Sequence, residues 1–132
     1  MTTELTYLAW TLVLAVVQVL VPAVVKTREF GTRWNTGPRD EHREPQSKLA
    51  GRLDRAQRNL FETLPLFIGA VLIAHVADKD CAWTAWGAAL YFWARVAYVP
   101  LYAAGVPYVR SLAWVVSLVG LLLVLGAVLR PA

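Results

Sequence analysis

The sequence predicts an all-α fold, an integral membrane four-helix bundle of up-down topology, and three observations carry that expectation. Hydrophobic residues fill 58% of the 132 positions, well above the roughly 45–50% of soluble domains. Two runs, Leu5 to Val25 and Ser111 to Leu129, contain 21 and 19 residues without a charge, each about enough to cross a hydrocarbon core of roughly 30 Å. Between them, Leu60 to Ala77 is apolar apart from Glu62 and His75, and Cys81 to Gly105 is interrupted only by Arg95.

The first helix is expected over about 5–26. Its apolar stretch is too long for a secretory signal and lacks a basic n-region and a small-residue cleavage site, so this span should stay in the mature protein. A polar loop over about 27–47 follows, and the segment from Lys26 to Arg58 carries nine of the thirteen basic residues. The positive-inside rule places that loop in the cytoplasm and, with four spans, both termini outside. Gly31, Gly37, Pro38 and Pro45 make 31–46 read as irregular.

The second helix is expected over about 48–77, because Leu49, Leu53, Ala56 and Leu60 recur at helical steps behind an N-cap at Ser47. Asp78, Lys79 and Asp80 form the outer turn into a third helix over about 81–104. Gly105 and Pro107 end that helix and turn the chain into a fourth, over about 108–130. All four form a single domain over 1–132. Trp10, Trp83 and Trp86 suit the aromatic belt of the outer interface, whereas Trp93 is expected in the core.

Composition also excludes several functions. A single cysteine, Cys81, permits neither an intrachain disulfide nor a CxxC metal site, and the two histidines stand too far apart for a recognised ligand spacing, so no metal is expected. The net charge of +4 follows from the basic loop, so no nucleic-acid partner is expected.

The polar residues of the membrane segments converge. Arg52, Arg55, Asn59 and Glu62 form one stripe on the second helix, with Arg58 beside it. Arg95, Tyr98 and Tyr102 share a face of the third, and Arg110, Ser111 and Trp114 open the fourth. All lie toward the inner leaflet. An arginine at mid-helix costs on the order of 2.5–3.5 kcal/mol on insertion scales, less near the interface. A plainer reading pairs Glu62 with Arg58 or Arg95 as a clamp between helices. That pairing leaves positive charge over, since one carboxylate faces Arg55, Arg58, Arg95 and Arg110. An anionic ligand with carboxylates would balance them, as guanidinium forks bind carboxylates in bidentate fashion. Pro65 and Pro100 free the carbonyls of Phe61 and Val96 at this level and favour a crevice.

The run Arg55-Ala56-Gln57-Arg58-Asn59-Leu60-Phe61-Glu62 followed by Pro65-Leu66-Phe67 resembles the helix-two signature of the MAPEG proteins, the membrane-associated proteins of eicosanoid and glutathione metabolism. Arg95, Tyr98 and Tyr102, then Arg110, are similar to the helix-three and helix-four pattern of the leukotriene and prostaglandin synthases of that family. The resemblance spans the chain. It implies a homotrimer with glutathione bound between subunits at the cytoplasmic end. It implies further that the carboxylates meet Arg55 and other basic residues, that Arg58 is among the glutathione-binding residues, that Asn59 and Glu62 hold polar groups of the peptide, and that Arg95, Tyr98 and Tyr102 line the site. Arg110 would face the sulfur as the catalytic residue, with Arg28 or Lys26 contributing from the first helix.

A free thiol with a pKa of about 8.5 is only a few per cent ionised at neutral pH, so a nearby guanidinium would raise the thiolate fraction substantially. The activity this implies is a glutathione-dependent transferase or peroxidase acting on a hydrophobic small molecule that arrives through the bilayer lipids. Thr63 stands where the leukotriene synthase has an aromatic residue, and Tyr98 where the prostaglandin synthase has histidine. These departures point away from eicosanoids and toward a bacterial member, in the inner membrane. The alternative is a noncatalytic relative that binds lipid or a partner. A transporter would need polar residues along a full span, and the stripe here stops within one leaflet.

Overall fold

The computed structural model describes residues 1–38 and 47–131, and the loop expectations at Arg39, Arg43 and Pro45 lie outside them. The first helix, α1 (Thr3–Phe30), begins where the Thr2 side chain accepts from the Leu5 amide, and it ends at Gly31, whose φ of 87° few other residues adopt. It continues four residues past the predicted end near 26. A second helix, α2 (Thr32–Thr36), then occupies part of the stretch expected to be irregular. The rings of Phe30 and Trp34, 4.7 Å apart, pack this single turn onto the end of α1. The remaining elements are α3 (Lys48–Val76), α4 (Ala82–Ala103) and α5 (Pro107–Leu129).

Three helices, α1, α3 and α5, are long and apolar enough to cross a membrane. The fourth long helix, α4, is rich in Trp and Tyr and holds Arg95, and it packs against all three. The four run up and down, so α1 and α4 end, and α3 and α5 begin, at the same end of the bundle. Apolar residues such as Val13, Leu20, Leu72, Leu112 and Val119 cover the outside. Such a surface suits lipid rather than water. The chain is an integral membrane protein.

The core forms where α1, α3 and α4 meet, around Leu8, Leu60, Phe67, Val71, Ala88 and Tyr91, with Val124 from α5. Phe67 and Tyr91 stack at 4.1 Å, and the Tyr91 hydroxyl pairs with the Thr63 hydroxyl at 2.8 Å. Helices α4 and α5 touch through glycine: a methyl group on Gly87 would lie 2.6 Å from the Gly120 carbonyl oxygen, closer than any side chain tolerates. This close approach is why both positions lack a side chain.

Trp93 is not in the core. It is 59% exposed, because Tyr91, two positions earlier and thus on nearly the opposite face of the helix, takes the buried side. Its indole N–H donates to the Tyr7 hydroxyl at 3.4 Å on the outside of α1 and α4.

At the bundle end where α1 begins, the outer end of the sequence expectation, Glu4 is buried and accepts a hydrogen bond from the Thr84 hydroxyl, and Thr84 also caps the Cys81 amide at 2.8 Å. Lys79 donates to the carbonyls of Val128 and Arg130 at 2.8 and 2.7 Å, closing the C-terminus of α5. His75 pairs with Asp80 at 3.3 Å.

Candidate functional site

The opposite end is assembled from the start of α3. Ser47 is its N-cap, accepting from the Ala50 amide at 3.1 Å, while the Ser47 amide donates to Glu29 Oε1 at 2.9 Å and ties α3 to the end of α1. One turn further, Lys26 and Asp54 form an ion pair of 2.7 Å. Lys26 is therefore held by α3, and Arg28 is exposed in the last turn of α1.

Arg52, the first residue of the polar stripe, has a separate task. It donates to the Ala103 carbonyl at 3.2 Å and packs on Gly105, whose φ is 74°. A side chain at Gly105 would strain the backbone and also meet the guanidinium at 2.8 Å.

The rest of the stripe faces a cavity of about 640 Å³ between α3, α4 and α5. Arg55, Arg58, Asn59 and Glu62 line it from α3, and Tyr98 and Tyr102 from α4. Arg110, Ser111, Trp114 and Val115 line it from α5. Of the eight residues that the resemblance implies for the site on these three helices, seven therefore border one space. Val115 was not singled out, although its place one turn beyond Ser111 puts it on the same face.

The eighth, Arg95, lies behind the wall. It is 1% exposed, donates from Nη1 to Asn59 Oδ1 at 2.7 Å, and stacks its guanidinium 4.4 Å from the centre of the Tyr98 ring. It thereby orients two lining residues instead of lining the cavity itself.

Tyr102 organises the charge. Arg55 Nε donates to its hydroxyl at 3.0 Å, and the Arg110 guanidinium sits 4.6 Å from its ring centre. Two cations thus share one aromatic ring. Among the described residues, no ion pair joins Glu62 to Arg58 or Arg95, and Arg55, Arg58 and Arg110 have no carboxylate partner. The clamp between helices is absent, and the cavity carries three guanidinium groups against one carboxylate. Trp114 and Val115, one turn further along α5 from Arg110 and Ser111, add apolar surface to the cavity.

The family model of the MAPEG family matches residues 7–130. The chain belongs to the MAPEG family. The matched MAPEG region thus takes in α3, α4, α5, α1 from Tyr7 onward, and every residue lining the cavity. No curated protein and no solved structure matched the chain. MAPEG membership makes it a membrane protein of the glutathione and eicosanoid metabolism family.

Proposed function

We propose that this MAPEG protein is a glutathione-dependent transferase or peroxidase for hydrophobic electrophiles, with its site on the cytoplasmic side of the membrane. One observation carries the reading: a cavity walled by Arg55, Arg58 and Arg110, none of them paired with a carboxylate among the described residues, together with the apolar Trp114 and Val115. Guanidinium groups gathered in one cavity without such partners favour an anion with carboxylates.

The residues present fit glutathione. Arg55 and Arg58 would bind its carboxylates, and the carboxylate of Glu62 would take its ammonium group. Asn59, fixed by Arg95, offers an amide to the peptide. Glutathione supplies a thiol that is nucleophilic once ionised. Arg110 contributes a fixed positive charge on the cavity wall that favours the thiolate over the thiol. Tyr102 keeps the Arg110 guanidinium in place by stacking, so little reorganisation is needed when charge develops. Trp114 and Val115 would receive the electrophile from the lipid side.

Arg58 and Glu62 also border a second open cleft with Lys26 and Asp54 on the far side of α3, and both are exposed. Exposed charges at membrane depth favour an assembly that covers them, and a homotrimer is the arrangement proposed. The positive-inside rule supports a cytoplasmic side for this basic end, and a bacterial inner membrane is the location proposed.

The test is glutathione binding to the purified protein, with thiolate absorbance in the ultraviolet and conjugation of a generic aryl halide. Wild type is expected to bind and ionise the thiol, and Arg110→Ala to bind without ionising it. Absence of binding in wild type would overturn the reading. If Arg110→Ala retains the thiolate signal, the role passes to another arginine.

A further inference from the structure

Arg95 has only one of its three nitrogens engaged. Nη1 bonds Asn59, while Nε and Nη2 are buried without a hydrogen-bond partner among the described residues. Burying donors of a charged group unpaired is expensive, so their surroundings should supply acceptors.

On α1, Gln18 is 3% exposed and its Oε1 is likewise buried and unpartnered. Gln18 offers a second acceptor as well. Pro22 has no N–H to return to the carbonyl four residues earlier, and that carbonyl belongs to Gln18. Gln18 thus offers an unpartnered Oε1, and a carbonyl that Pro22 cannot bond, to the two unpartnered donors on α4.

Helix geometry places them together. Glu4 and Gln18 lie on the single buried stripe of α1, and Thr84 and Arg95, three turns apart, lie on one buried face of α4. The two stripes touch where Glu4 meets Thr84. Measured from that contact, Gln18 lies about 21 Å along its helix and Arg95 about 16 Å along its own. Measured from the Lys26–Asp54 pair at the other end, Gln18 lies about 12 Å away along α1 and Asn59 about 7.5 Å along α3. Gln18 therefore sits about one turn below the Arg95 backbone and one turn above that of Asn59, at the depth the Arg95 side chain crosses to reach Asn59.

We infer that Gln18 is a positioning residue: it accepts from Arg95 on the side away from Asn59, directly or through one water, and so fixes the guanidinium that holds Asn59 in the cavity wall. The bonds form a line across α1, α4 and α3. Its effect on binding rests on the glutathione reading above, whereas the Gln18 to Arg95 contact does not.

Gln18→Leu, Arg95→Met and the double variant of the full chain are compared by melting temperature and by glutathione Kd, with Gln18→Glu as the variant that keeps an acceptor. Gln18→Leu is expected to weaken glutathione binding roughly tenfold, raising KM with kcat changed less than about twofold. Gln18→Glu restores most of the affinity, and in the Arg95→Met background Gln18→Leu has no further effect on either readout. Pro22→Ala, which returns a helical N–H to the Gln18 carbonyl, weakens binding about two- to threefold. It keeps the inference testable where Gln18→Leu does not fold.

Additive effects of Gln18→Leu and Arg95→Met on melting overturn the inference. So does a loss of stability from Gln18→Leu with Kd unmoved. Wild type that fails to bind glutathione overturns the functional reading alone, and the melting cycle still decides whether Gln18 and Arg95 interact.

Discussion

The two ends of the bundle handle polar groups in opposite ways. At the outer end Glu4 is satisfied by Thr84, Lys79 by two carbonyls of the α5 terminus, and His75 by Asp80. At the inner end Arg55, Arg58, Glu62 and Arg110 converge on a cavity without pairing with one another. Membrane insertion alone accounts for the first pattern, because a polar group beside hydrocarbon is stabilised by a partner. The second is the pattern a ligand would complete, so the closure of the polar contacts, more than the number of charges, is what points to the proposed site.

Substitutions at the two ends should therefore separate function from stability. The largest effect is expected for Arg110→Ala, which lowers conjugation rate on the order of a hundredfold with melting temperature changed by less than about two degrees. The next is Glu4→Ala at the outer end, which lowers stability by about 1–3 kcal/mol, measured by thermal melting in detergent, and leaves glutathione affinity unchanged. An equal loss of affinity would break the contrast between the ends. Gly105→Ala tests a closed device of the inner end: positive φ and the Arg52 guanidinium together should cost about 1–2 kcal/mol, again read by melting. The smallest effect is Lys79→Met, about 0.5–1 kcal/mol for partly exposed bonds that water can replace, with activity retained.

Much of the inner end was legible in the sequence because charge inside apolar runs is conspicuous. Arg55, Asn59 and Glu62 stand at helical steps, and their neighbours on α4 and α5 fall at the same depth once the turns are placed. Ser47 was equally readable, as its hydroxyl serves a local cap that depends only on nearby backbone.

What escaped was set by partners distant in sequence. Glu4 precedes the apolar run and reads as a solvated terminal charge, yet it is buried because Thr84, 80 residues away, meets it. Arg95 shares a face with Tyr98, but its length carries it behind the wall to Asn59. Trp93 looked like core by its size, whereas which aromatic residue of α4 turns inward was settled by Phe67 stacking on Tyr91. The short α2 depends on the pairing of Phe30 with Trp34 across a glycine, which outweighs a segment poor in regular pattern.

The contact between Gly87 and Gly120 bears on how the site moves. With each carbonyl lodged against the other helix's bare Cα, α5 cannot slide or roll on α4 without collision. Lys79 fastens the same pair at the outer end. These two helices therefore behave as one stiff plate that carries Tyr98, Tyr102 and Arg110 together, and any breathing that admits a bulky guest must come from α3 swinging away from that plate. The Arg110 charge and its aromatic support thus keep their spacing while the doorway changes width.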